Sequence, residues 1–270
     1  MKFDMSEAWR EAVAMMTGNR EVLLIVAGIF FLLPSIALSL SIGEIQESII
    51  ADPESARAQI LALYSDWWWL LIVVLLAQIV GYLALLALLR DSNRPTVGEA
   101  LKTGLVGLLP AIGAYILLVI ALSLAIGLVV GGAIASGSAA AAAIAGILAF
   151  VVAIYVCVKL SLSGPVIAID KVFNPVAVLA RSWRLTKGNS FRLFLFYVLL
   201  VIVYIIVSMV VVAIVGALTL VLGAATALTV NGVVSGVLSA AVTVVFVAVI
   251  AAVHRQLAGP SAAAVSETFE

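Results

Sequence analysis

FRLFLFYVLLVIVYIIVSMVVVAIVGALTLVL, residues 191–222, holds a single formal charge, Arg192, at its second position. A helix needs roughly 20 apolar residues to cross the hydrocarbon core of a bilayer. This stretch exceeds that and offers no polar face to water on any side of a helix. Five more runs of the same kind lie at 22–42, 67–89, 105–130, 139–163 and 233–254. Hydrophobic residues make up 65% of the 270 and charged residues 10%, where a soluble domain carries about a quarter. Too little polar surface remains to cover a soluble core of this size. The pattern predicts an all-α integral membrane protein of six transmembrane helices. The first run is longer than the apolar core of a signal peptide and is followed by no small-x-small cleavage site, so it is read as a span.

Net charge is zero, which gives no global basic field for a nucleic acid. The single cysteine, Cys157, excludes an internal disulfide and a cysteine metal cluster; in an apolar run it reads as a buried small hydrophobe.

Basic residues set the orientation. Lys2, Arg10 and Arg20 precede the first span, and Arg90, Arg94 and Lys102 lie around the second connection. Lys159, Lys171, Arg181, Arg184, Lys187 and Arg192 surround the fourth, and Arg255 follows the last span. Only Arg57 falls on the other side, among Glu44, Glu47, Asp52, Glu54 and Asp66. Both termini are therefore expected in the cytoplasm. In the outer loop, Asp52-Pro53 reads as a helix cap with proline in the first turn. Trp67, Trp68 and Trp69 read as an interfacial belt.

The cytoplasmic segments repeat a device. Asp4 with Glu7 and Thr96 with Glu99 have capping-box spacing, and Asn174-Pro175 is a cap with proline at the first helical position. Phe173 is placed to staple onto Val178. Gly18, Gly104 and Gly188 are read as the stops of the three short helices. Phe3 to Thr17-Gly18-Asn19 parallels Phe173 to Lys187-Gly188-Asn189. The expectation is three tandem units at about 1–90, 91–170 and 171–256, each an amphipathic elbow helix plus a transmembrane hairpin, with a short tail at 257–270. An even number of spans per unit keeps all units in one orientation.

Residues 177–194, AVLARSWRLTKGNSFRLF, preceded by Gly164-Pro165-Val-Ile-Ala-Ile-Asp170, carry a resemblance. They are similar to the membrane domain of the bacterial glycerophosphodiester phosphodiesterase membrane-domain family, with Ser182, Gly188 and Asn189 in the motif. The resemblance implies a multi-pass protein of the bacterial cytoplasmic membrane. In that family the phosphodiesterase chemistry belongs to a separate soluble barrel. The chain as given stops at Glu270, sixteen residues after the last span, so the expectation is a stand-alone membrane domain without enzyme activity or cofactor.

Within the spans the residues offer no catalytic set. Lys159 is read as snorkelling to the interface, Asp170 as a solvated loop acid, and His254 as a helix-end imidazole. Gln78, Tyr82, Ser123, Ser161, Ser163, Tyr204, Ser208, Thr219 and Thr243 are candidates for interhelical hydrogen bonds. Gly127-x-x-x-Gly131 and Gly232-x-x-x-Gly236 read as internal packing sites, and Pro34 and Pro110 as kinks. The functional expectation is a non-enzymatic protein binding anionic lipid headgroups at the cytoplasmic face, or a membrane-protein partner, in envelope homeostasis. The alternative is a transporter or permease for an amphiphile. The candidate site is the elbow bearing Arg181, Trp183, Arg184 and Lys187, with Val176, Leu179 and Trp183 dipping into the interface and the basic residues outside that stripe.

Overall fold

The computed structural model describes residues 2–38, 53–90, 96–220 and 223–259, and these are helical with no strand among them. The helices are α1 (Met5–Gly18), α2 (Arg20–Ala27), α3 (Pro53–Leu88), α4 (Val97–Ala135), α5 (Ala139–Leu160), α6 (Ser163–Ala168), α7 (Pro175–Leu185), α8 (Ser190–Thr219) and α9 (Ala224–Ala258). Between α2 and residues 33–38 runs a π turn, Gly28–Leu32. Six helices are long and apolar enough to cross a membrane: Arg20–Leu38, Tyr64–Leu88, Val97–Ala135, Ala139–Ala168, Ser190–Thr219 and Thr226–Ala258. The chain is thus a multi-pass α-helical protein.

All three expected N-caps form. The Asp4 carboxylate accepts from the backbone N–H groups of Ser6 and Glu7 at 2.9 and 3.0 Å. Glu7 turns to Arg10 instead of completing a capping box. Thr96 and Glu99 complete theirs, at 3.3 and 2.9 Å. Asn174 accepts from Val176 and Ala177. Asp52 and the tail from 260 onward lie outside the described residues. α3 begins at Pro53 and continues without a break past Trp67, Trp68 and Trp69, all exposed, so the outer-loop helix and the second span are one rod.

The glycine stops hold at two sites of three. Gly188 adopts φ +83°, the left-handed turn that glycine tolerates, and ends α7. Gly18 is the last residue of α1, and the break falls at Asn19, whose side chain donates to the Met15 carbonyl at 3.0 Å. Gly104 stops nothing. α4 is continuous through it, and a Cβ there would sit 2.5 Å from the Val80 carbonyl oxygen. This glycine serves close backbone approach between α3 and α4.

The better register counts from the caps. Four residues past Asp4, Thr96 and Asn174 lie Ala8, Ala100 and Val178, each fully buried. Eight past them lie Ala12, Gly104 and Ser182, also buried. In this register Pro110, not Gly104, occupies the place of Gly18 and Gly188.

α1 packs on α9, the start of α4 on α3, and α7 on α4, α5 and α6. At this end α3, α6 and α9 also touch one another, burying Leu83–Leu86, Val166–Ala168 and Val247–Val253. The opposite end is open, with Leu128, Ile134, Ile147 and Leu148 exposed. Gly127 and Gly131 have no neighbour within 4 Å of a modest side chain, so they are not internal packing sites; Gly236 is, against Leu32 and Ile36. Cys157 is exposed on α5 instead of buried. The helix passes through Pro110 uninterrupted. Before Pro34 it widens instead, with the Leu33 N–H donating to the Gly28 carbonyl. A wide turn there relieves the clash of the proline ring with the preceding turn.

Among the candidate interhelical polar groups, Ser161 bonds Tyr197 across helices at 3.1 Å. Ser163, Thr219 and Thr243 return to carbonyls of their own turn. Buried Ser208 Oγ has no partner among the described residues.

Candidate functional site

α7 is amphipathic, and its buried face decides how it sits. Val178, Ser182 and Thr186 are fully buried. Ser182 Oγ and Thr186 Oγ1 both donate to the backbone carbonyl of Lys159, at 2.9 and 3.2 Å. That carbonyl ends α5 and has no partner within its own helix. Ser182, a motif residue of the sequence, thus stitches α7 across the end of α5.

Trp183 does not line the groove of the neighbouring basic residues. Its ring meets Tyr155 edge-on at 5.8 Å. The Lys159 ammonium lies 5.2 Å from the Trp183 ring centroid and 5.7 Å from that of Tyr155. Lys159 is 3% exposed, so it does not snorkel outward; its charge is held by two aromatic faces. Trp183 is 40% exposed beside this cluster, Val176 is more exposed still, and Leu179 packs on the core. The stripe expected to dip into the interface is therefore divided among three surroundings. Phe173 is 42% exposed and Val178 fully buried.

Arg181, Arg184 and Lys187 come together. With Leu185, Asn189 and Leu257 they line one groove of about 360 Å³. No acid among the described residues lines it. Behind it, Arg181 Nε donates to Asp170 Oδ2 at 2.5 Å, and His254 Nε2 lies 3.2 Å from the same oxygen. A carboxylate only accepts, so Nε2 is the protonated ring nitrogen in this contact. Asp170 is 15% exposed at its side chain and His254 4%. Burial pushes the Asp170 carboxyl up, but the hydrogen bonds and charges of His254 and Arg181 outweigh it and hold the group below its ordinary value. The solvated loop acid and lone helix-end imidazole of the sequence reading are in fact partners, joining α6, α7 and α9.

No family model matches this chain, and neither a curated protein nor a solved structure matches it. What the site can do rests on its own geometry.

Asn189, the other polar residue of the groove, fastens the start of the chain. Its Oδ1 accepts from the Phe3 N–H at 2.9 Å, and Arg192 Nη1 donates to the Phe3 carbonyl. Phe3 is buried against Phe196, ring centroids 5.6 Å apart. Asp4 and Gln256 exchange backbone-to-side-chain bonds, and Arg255 pairs with Glu11 at 2.8 Å. Residues 3–11 and 255–256 thus meet at the end of the bundle that holds the basic groove. Among the described residues no three His, Cys, Asp or Glu side chains are grouped to hold a metal ion.

The groove's cations were legible from their crowding in sequence. Asp170 and His254 were not: 84 residues separate them, and each alone looks like an ordinary span-end residue.

Proposed function

We propose that this protein is a non-enzymatic lipid-binding protein of the bacterial cytoplasmic membrane, seating an anionic phosphate headgroup in the groove of Arg181, Arg184, Lys187 and Asn189. The observation that carries the reading is the convergence of three cations on one groove, with no lining acid among the described residues. Arginine forks suit phosphate oxygens, and an ammonium adds a mobile point charge. Asp170 holds Arg181 in place through Nε.

The wider arrangement supports this reading. The groove's end of the bundle carries nearly all the basic residues, so it faces the cytoplasm and the anionic leaflet surface. Three tandem units of elbow and hairpin account for the caps at Asp4, Thr96 and Asn174 and for the buried positions four and eight residues beyond each. They also account for the packing order, in which each elbow rests on the closing helix of another unit and α1 closes the ring on α9. The likeness to the stand-alone phosphodiesterase-associated membrane domain agrees with a role in envelope homeostasis.

The test is native mass spectrometry of purified protein titrated with phosphatidylglycerol. Each basic residue near the surface contributes about 1 kcal/mol. Arg184→Gln with Lys187→Gln should therefore weaken the tightest binding event by about 10–30-fold, while Arg181 keeps Asp170 paired. Adding Arg181→Gln should weaken it further. Unchanged affinity in a correctly inserted double variant would reduce these residues to setters of topology.

A further inference from the structure

A second groove lies within the membrane layer, between α2 with its π turn and the middle of α9. Leu23, Ala27, Gly28 and Leu32 form one wall, and Val237, Ala240 and Val244 the other. Its volume is about 360 Å³, and Arg20 is its single charged lining residue among those described. It shares no lining residue with the basic groove.

We propose that this groove seats one acyl chain of an anionic phospholipid, with the headgroup on Arg20. The inference rests on the membrane reading of the chain but not on the basic groove. Shape supplies the first argument. From Arg20 to Leu32 a helix rises roughly 18 Å. The lining follows one face of α2 and its π turn from Arg20 to Leu32 and is apolar below Arg20, the elongated form that an extended hydrocarbon chain fills. Charge supplies the second. Arg20 opens the first membrane-crossing helix, is exposed, and makes no ion pair among the described residues. It stands where the headgroup of a chain lying in the groove would reach the interface.

Local backbone chemistry explains why the groove exists. Gly28 lines it, and a Cβ built there would meet nothing within 4 Å. The missing side chain is hollow space, not a close contact. The π turn that begins at Gly28 widens the helix at the same level.

That openness gives a clean test. Gly28→Leu adds bulk inside the groove without a clash, and Ala241→Leu adds it from the α9 wall if the first variant inserts poorly. The protein is placed in lipid nanodiscs with trace phosphatidylglycerol bearing a photoactivatable diazirine in its acyl chain, or the matched phosphatidylcholine probe. Labelled peptides covering 20–38 and 233–247 are read by mass spectrometry. Wild type should label these peptides with phosphatidylglycerol about fivefold over phosphatidylcholine, the preference that one basic residue confers at an anionic headgroup. Arg20→Gln should bring the two probes level. The leucine variant should lose labelling by both probes several-fold at unchanged thermal stability. Persistent labelling with the groove filled would overturn the proposal. So would an undiminished phosphatidylglycerol preference in Arg20→Gln. Arg184→Gln with Lys187→Gln should leave this labelling intact, which separates failure of this site from failure of the basic groove.

Discussion

Gly104 and Gly127 lie on one helix, α4, each among leucines, alanines and valines, yet their surroundings have nothing in common. A side chain at Gly104 would strike the Val80 carbonyl oxygen, while one at Gly127 would meet open space. The first belongs to the end of the bundle where α3, α6 and α9 converge, the second to the end where large apolar residues are exposed. Lipid tails are as apolar as leucine, so hydrophobicity does not decide which face of a membrane helix touches protein. Close approach of small residues does. Only the partner helix reveals where that approach happens.

The most direct way to break this contrast is to add one methyl group at each site. Gly104→Ala forces a backbone carbonyl, which cannot swing aside as a side chain can, and should cost about 2–3 kcal/mol. Gly127→Ala meets no neighbour and removes a helix-weakening glycine, so it should gain up to about 1 kcal/mol. Reversible unfolding in mixed detergent micelles, followed by tryptophan fluorescence, reads both. Equal losses would mean that the open end is packed in the membrane, and the contrast would collapse.

The same physics marks what the sequence could and could not reveal. Spans, caps and the crowding of Arg181, Arg184 and Lys187 are local, so spacing and composition announced them. The N-caps form because the capping side chains of Asp4, Thr96 and Asn174 need only the N–H groups of their own first turns. Gly104 was misread as a stop because a glycine that ends a helix and one that admits a neighbour look alike in one dimension. Counting from the caps, which are chemically specific, gives the register that counting from glycines missed. Lys159 was misread for a related reason. Its long stem suits snorkelling, but Trp183, which receives its charge, is on another helix. The Asp170–His254 contact depends wholly on which helices meet.

That contact sharpens the comparison between the closed end and the open one, because it is a charge held at the closed end. Asp170→Asn removes the negative charge that Arg181 and His254 share and replaces one acceptor oxygen with a donor NH2. Losing a charged hydrogen-bond network of this kind costs several kcal/mol when fully buried, but Arg181 is 42% exposed and water replaces part of what it loses. The expected cost is about 1–2 kcal/mol. Acid supplies an independent reading. A carboxyl whose folded pKa is depressed stabilises the fold above its unfolded value and gives that stability up as pH falls through the folded one. The ordinary value is 3.8, so the stability gap between wild type and Asp170→Asn should narrow as pH drops below about 4. A gap that stays constant to lower pH would mean that the carboxylate is not paired in the folded protein.

The smallest effect concerns how the two ends of the chain are joined, and it asks whether the closed end is one cooperative piece. Asn189 holds the Phe3 N–H with its Oδ1, but Phe3 is also anchored by its ring on Phe196, and Asp4 by Gln256. Asn189→Ala removes the hydrogen bond to the buried Phe3 N–H, worth about 1 kcal/mol, and leaves the Phe196 and Gln256 anchors. Global stability should therefore move little, while amide exchange over residues 3–8 should quicken by about fivefold if the segment opens on its own. Phe196→Ala, which takes the ring support away, should quicken the same amides more. If Asn189→Ala leaves their exchange unchanged while lowering the global unfolding midpoint, residues 3–8 open only with the whole bundle. The join of α1 to α9 would then belong to the core of the fold.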